Sequence, residues 1–477
     1  MSELWSLSAS EVARLVRTRK ASAREVADSA LKRLDSVNPR ITAIVDCRPD
    51  LVREQADRVD SALASGNDPG PLAGVPVTVK INIDQAGFAT TDGSRLQEHL
   101  IAKTNSPAVD NVVRAGAVLL GRSNMSTFAV RWFTNNLLYG GTHTYNPRDP
   151  LLTPGGSSGG GAAGVAAGIG HIALGTDIGG SVRYPAYACG IHGLRPSLGR
   201  VPFYNASLHE PTVGGQLMHV VGPMARTVED LRVSLSAMSA ADARDPWWVP
   251  APLEGPPMPL HAAVCVRPAG RRVAREVEAS VLDAGRRLAD AGWTVEELDE
   301  TPPLNEAAEA NEWLWLADGF AQLADAAERD GDPGALAVVA GMRPRTKTYP
   351  ADAVARALVQ RAAVRRQWQM FLDRYAVLLI PVSAELPFPD DLDLQGNAAF
   401  QRVWESQFLL RATPTLGLPA LAVSTGLVGQ TPVGVQIVAN RYREDLCLRA
   451  GEAIEARGTP PAPIDPQGKT LATPATR

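Results

Sequence analysis

The chain has 477 residues, 45% of them apolar and 21% charged, which is enough apolar material for a sizeable core. Its 47 basic and 51 acidic residues leave a formal charge of -4, which argues against a general binder of nucleic acid or anionic membrane. The opening MSELWSLSAS has no basic region followed by an apolar run, and no stretch of 18 apolar residues exists. Cys47, Cys189, Cys265 and Cys447 lack CxxC spacing, so a cytoplasmic protein with reduced thiols is expected. Seven histidines occur, none in HxH or HExxH spacing and none beyond His261. No metal and no cofactor is therefore expected.

In chain order, Ser8 with Glu11 and Ser22 with Glu25 have the S-x-x-E spacing of capping boxes, within a stretch (1–70) that reads as helical. From Gly74 the apolar period becomes two, with Val75, Val77, Val79 and Ile81 on one face of a strand and Thr78, Lys80 and Asn82 on the other. Residues 107–121 read as a helix running into a short strand at 117–120. Residues 155–199 hold 14 of the 42 glycines, which marks backbone that bends sharply or approaches something closely. A helix of small residues is expected at 160–170. The proline-rich segment 246–259 connects to a βαβ-like pattern: strand 262–266, helix 271–291, strand 294–298. A long helix at 351–374 feeds a buried strand at 376–381, and residues 459–477 are expected to form a flexible tail. Strands alternating with helices predict an α/β fold with a sheet covered on both faces.

Three chemistries compete for the glycine-rich region. A phosphate cradle would need GxxxxGK[ST], but no lysine lies between Lys103 and Lys347. A nucleophile elbow is matched formally by Gly156-Ser157-Ser158-Gly159-Gly160, yet the late histidine it requires is missing. The third reading pairs Ser157 and Ser181, each at a glycine-flanked turn, with a lysine as base. Only six lysines stand against 41 arginines, and Lys80 falls inside an apolar strand, where burial disfavours its charged form. Gly179 and Gly180 leave backbone N–H groups unobstructed for an oxyanion hole. The plain alternative is a set of turns with Lys80 on the solvated face of a half-exposed strand. Both readings fit the residues alone.

The segment Thr153 to Val201 closely resembles the signature of the amidase signature family, GGSSGGS followed by GTDxGGSxRxPA and GxxGxKPT. The likeness continues in GPLAGVPVTVKINID (70–84), LGRSNM (120–125), NPRDP (146–150), and TPTLGLPALAVSTG with PVGVQIVA (413–439). It implies one large domain over 1–458, with the signature core at 153–201 and a variable, substrate-side region at 246–350. The implied fold is a mixed, mostly parallel twisted sheet covered by helices on both faces. By the same resemblance Lys80 is the catalytic base, Ser157 the bridging serine after a cis peptide bond, and Ser181 the nucleophile. The N–H groups of Ile178, Gly179, Gly180 and Ser181 form the oxyanion hole, with Ser158, Asp177 and Arg183 bracing the loops. Trp132, Phe133 and Tyr139 are expected at the substrate pocket, and Trp313 and Trp315 in a region that covers it. The sequence departs from the family at Gly161, at Arg195-Pro196-Ser197 and in a longer GGTHTYNP (140–147).

The implied activity is hydrolysis of a small apolar or aryl amide or anilide through an acyl-enzyme. The alternatives are a carbamate (urethane) or ester hydrolase on the same residues, or the A chain of a tRNA-dependent amidotransferase. That chain is typically acidic where this sequence has Ser-Thr-Phe-Ala-Val-Arg-Trp-Phe at 126–133. The expected partner is a small-molecule amide or carbamate; neither nucleic acid nor membrane is expected, and a homodimer is compatible with the family.

Overall fold

The computed structural model describes residues 3–467. Both capping boxes close, Ser8 on Glu11 and Ser22 on Glu25, and they start the helices Ala9–Arg17 and Ala23–Ile41. The 1–70 stretch is not wholly helical. Asn38 Oδ1 accepts from the N–H groups of Ala43 and Ile44, both at 2.9 Å, and turns the chain into a short strand before the next helix, Pro49–Ala64.

Eleven strands form one sheet: β1 (Ile44–Asp46), β2 (Pro76–Lys80), β3 (Val118–Ser123), β4 (Ile172–Asp177), β5 (His192–Arg195), β6 (Val220–Ala225), β7 (His261–Val264), β8 (Thr294–Glu297), β9 (Val377–Pro381), β10 (Ala420–Val428) and β11 (Thr431–Val438). Their order is β1-β3-β2-β4-β6-β5-β10-β11-β9-β7-β8. Parallel pairing occupies two blocks, β3-β2-β4 and β9-β7-β8; the pairings that link and flank them are antiparallel. The βαβ unit expected after residue 260 is present, its helix spanning Arg275–Asp290, and the predicted long helix spans Ala353–Arg374. Two further helices, Asn305–Asp330 and Pro333–Thr346, fill the region the sequence leaves without assigned elements. Among the described residues, no helix is long and apolar enough to cross a membrane.

The register of β2 on β4 places the site. Val77 pairs with Ile172 and Val79 with Leu174 in parallel, so the carboxyl ends of both strands emerge side by side. Crevices outside such strand ends are where α/β sheets collect ligands. Thr78 and Lys80 are as buried as the alternating valines, because helices cover the sheet where the period-two pattern leaves a polar face. Residues 459–467 also depart from expectation. Arg33 pairs with Asp465 at 2.6 Å, and the Ile464 N–H donates to the Ala166 carbonyl at 2.9 Å. The remainder of the expected tail lies outside the described residues.

The helix Gly159–Ala166 runs directly against neighbouring backbone. A Cβ on Gly160 would lie 2.5 Å from the Asn124 N and 2.6 Å from the Ala43 carbonyl oxygen. Alanine in a helix interior gains about 1 kcal/mol over glycine, but overpacking against rigid backbone costs about 1–3 kcal/mol. The clash wins. Gly160→Ala should lower the thermal midpoint, and an unchanged or raised midpoint would show that the Asn124 and Ala43 backbones yield.

Candidate active site

Lys80 ends β2 and is fully buried. Its Nζ lies 2.7 Å from Ser157 Oγ and 2.8 Å from Thr176 Oγ1, near the end of β4. Burial lowers its pKa to about 7, with Asp92 and Asp177 partly opposing. The amine can therefore be neutral near physiological pH, as a proton acceptor must be. Asp92, in the T-T-D-G-S stretch at 90–94, carries the complementary shift: burial raises its carboxyl to about 7 while Lys80 opposes. No recognised motif marks that carboxyl, and sequence reasoning missed it.

Ser157 follows Gly156 through a cis peptide bond. A side chain on Gly156 would run into the backbone of Arg131 and Phe133, so only glycine fits there. Ser158 next to it is buried. Its N–H donates to the Ser181 carbonyl (3.3 Å) and its hydroxyl to the Thr176 carbonyl (3.4 Å), which makes it a brace between the two serine loops. Ser181 instead lines a cavity. Among the described residues no hydrogen bond joins its hydroxyl to Ser157.

The loop before Ser181 is held by Asp177. That carboxylate accepts from the N–H groups of Gly180 (2.9 Å) and Val182 (3.2 Å), and from Arg183 Nε (3.0 Å) and Nη2 (2.8 Å). Arg195, at the position where the family resemblance expects lysine, donates to the Asp177 carbonyl at 2.5 Å. Burial would raise the Asp177 pKa, but Arg183, Arg195 and the Gly180 N–H outweigh it and hold the carboxyl well below the usual range. This corrects one expectation. The Gly180 N–H is spent on Asp177 and is not free for an oxyanion, whereas those of Ile178, Gly179 and Ser181 meet no acceptor among the described residues. What Gly180 supplies is a backbone φ of +99°, pressed against Leu410, where a Cβ would collide.

The expected pocket aromatics separate. Trp132 borders the Ser181 cavity and donates from Nε1 to the Gly179 carbonyl at 3.0 Å. Phe133 is wholly buried against Phe388 and backs the cis loop instead of facing the cavity. Tyr139 is 51% exposed, on a tight turn that aims it at solvent. Trp315 joins Trp132 on the cavity wall and stacks on Trp404, ring centroids 6.1 Å apart. Trp313 lines a different cavity. Asn311 and Arg411 also line the Ser181 cavity, and no local sequence signal points to either.

The amidase family profile matches residues 25–448. An indoleacetamide hydrolase of Bradyrhizobium diazoefficiens is 36% identical over 464 residues, covering 95% of this chain and 87% of the relative. The A chain of a glutamyl-tRNA(Gln) amidotransferase from a Synechococcus species is 32% identical over 472 residues, covering 92% and 95%. The crystal structure of a bacterial aryl acylamidase of the amidase signature family superposes with a TM-score of 0.82 at 24% identity, over 97% of this chain and 98% of that one. At that identity the likeness is one of fold.

Two substitutions check this geometry. Asp177→Asn leaves Arg183 and Arg195 without their buried counter-charge, and should cost about 3–5 kcal/mol in denaturant unfolding. Tyr139→Ala should change turnover by less than about 2-fold, as exposed positions do; a larger loss would put Tyr139 back at the substrate.

Proposed function

The chain belongs to the amidase family, and from that premise we propose that it hydrolyses the carbon–nitrogen bond of a small apolar or aryl amide or anilide through an acyl-enzyme on Ser181. The observation that carries the reading is a buried lysine amine 2.7 Å from a serine hydroxyl, its pKa drawn down to about 7. Neutral Lys80 accepts the Ser157 proton as Ser157 accepts that of Ser181, whose Oγ bonds to the substrate carbonyl carbon. The N–H groups of Ile178, Gly179 and Ser181 stabilise the oxyanion. The proton then returns through Ser157 to the departing nitrogen as the carbon–nitrogen bond breaks. Water, deprotonated along the same path, releases the acid.

Trp132 and Trp315 on the cavity wall favour an aromatic or apolar acyl or amine group. The 36% identical relative named for indoleacetamide supports the same choice. A carbamate or ester would react on the same residues. The 32% identity to an amidotransferase A chain favours a second reading, in which the protein acts on glutamine with partner chains. Copurification with partner chains, together with ammonia release from glutamine against release from a panel of aryl amides, separates the two.

A fluorophosphonate should label the protein, and Ser181→Ala should abolish labelling; label that follows Ser158 would restore the elbow mechanism. Lys80→Arg keeps a cation that cannot be deprotonated. It and Lys80→Met should each lose at least ~10³-fold in kcat/KM, and near-normal turnover in the arginine variant would mean another base. The charges of Asp92 and Asp177 partly offset the burial of Lys80, and burial keeps His219 neutral by lowering its pKa to about 3. The protonated ammonium is the inactive form, so the rate should rise as pH passes about 7. A rate that falls through that range would reverse the assignment of base.

A further inference from the structure

Arg411 lies on the helix Phe408–Leu416 and borders the same cavity as Ser181, Trp132 and Trp315. Only 4% of it is exposed. Its Cγ stands 3.9 Å from where a Cβ on Gly179 would sit, so its stem runs beside the proposed oxyanion loop. The guanidinium lies over the Trp404 ring, 4.2 Å from the centroid.

Its polar partners are poor for so buried a cation. Nε has none, Nη1 and Nη2 reach the Ala308 and Trp404 carbonyls only at 3.4 and 3.5 Å, and the nearest carboxylate, Glu312, is 3.6 Å away. Arg183, equally buried, holds Asp177 with two bonds of 3.0 Å or less and reaches Thr413, Gln436 and Leu410 as well. Glu312 is also shared: it accepts from the Tyr349 hydroxyl at 2.7 Å and pairs with Arg345 at 3.4 Å. Glu405 in turn pairs with Arg271 and Arg345, both at 2.8 Å. Three guanidinium groups thus share two carboxylates, one negative charge short, and the least satisfied of the three, Arg411, lies between the nucleophile's cavity and the cavity that Trp313 lines, bordering both. A buried charge without a full complement of acceptors is costly unless something else supplies them.

We infer that Arg411 is a specificity residue that takes an anionic oxygen, a carboxylate, on the part of the substrate filling this cavity away from the scissile bond. This rests on the amide-hydrolysis reading and narrows it: the favoured substrate has an aromatic body that lies along Trp132 and Trp315, and a carboxylate that completes the charge of the Arg411–Glu312–Arg345–Glu405–Arg271 network. Burial lowers the Arg411 pKa to about 10, which leaves the guanidinium fully charged at neutral pH.

The test compares 4-carbamoylbenzoate with the neutral, similarly shaped 4-acetylbenzamide, read by ammonia release. The wild-type protein should favour the carboxylate, and Arg411→Met should cut the ratio of the two kcat/KM values by about 10-fold or more, chiefly through KM. Glu312→Gln removes the competing anion and should raise the ratio. Equal losses on both amides in Arg411→Met, or a ratio unmoved in Glu312→Gln, would make Arg411 a structural brace and overturn the inference. If Arg411→Met does not fold, Glu312→Gln decides alone. Calorimetric binding of the same two amides to Ser181→Ala measures the preference without turnover. A carboxylate preference there would sustain the inference even if hydrolysis failed, and binding of the neutral amide as tightly would overturn it. Inorganic phosphate that competes equally with both amides would point to an anion site separate from the substrate and would also overturn it.

Discussion

The carboxylate of Asp177 is the point on which the surrounding structure turns. Its oxygens receive two backbone N–H groups from the loop that follows β4 and a two-pronged guanidinium from Arg183, while Arg195 donates to the main-chain carbonyl of Asp177. Arg183 reaches on to Thr413, Gln436 and the Leu410 carbonyl. Asp177, through its two arginines, therefore ties the serine loop to β5 by Arg195 and to the helix Phe408–Leu416 and β11 by Arg183. Two cations and one anion buried together are expensive to desolvate, and here nearly every donor finds an acceptor, with Arg195 Nε left unpaired among the described residues. Its effect is to hold the 178–181 backbone with three N–H groups turned away from internal partners, a conformation the chain would not keep unaided.

Lys80 presents the opposite case, a buried cation left without a carboxylate at contact distance. Its neighbours within hydrogen-bond reach are the hydroxyls of Ser157 and Thr176, which stabilise a charge far less than an ion pair would. The same fold thus treats two buried basic groups differently. Arg183 is neutralised and rigid, whereas Lys80 is left close to losing its proton. Asp92 keeps this tendency in bounds, because a carboxylate nearby favours the ammonium.

Much of this was legible from residue types. A lysine in an arginine-dominated chain, set among valines, stands out, and glycine pairs flanking Ser157 and Ser181 mark where backbone must come close. Capping boxes and period-two strands read correctly because they depend on neighbours within a few positions. Periodicity tells which residues share a face but not whether water reaches it, which is why Thr78 and Lys80 could be read as solvated. Phe133 and Tyr139 follow Trp132 within seven positions and have the same aromatic character, yet a buried strand-like path and a left-handed turn send one to the core and the other to solvent. Gly180 is misjudged for a related reason: a glycine leaves its N–H unobstructed, but only the position of Asp177 decides what that N–H meets. Asn311 and Arg411 reach the site from segments more than 100 residues beyond Ser181, so no local pattern could have placed them; Trp315 is expected near the pocket only through the family resemblance.

The strand order has a consequence for how the protein is made. Among the described residues, the block β1 to β6 and the block β7 to β9 touch in the sheet only through β10 and β11, which follow all the others along the chain. Until the ribosome releases residues beyond 420, β5 and β9 each present an open, apolar edge, the kind that pairs readily with another chain. The serine loop is exposed to the same delay, since Arg183's partner Gln436 arrives with that final hairpin and Thr413 only just before it. A nascent chain stalled before this point would carry every residue of the Lys80–Ser157–Ser181 set and still lack the scaffold that orders them.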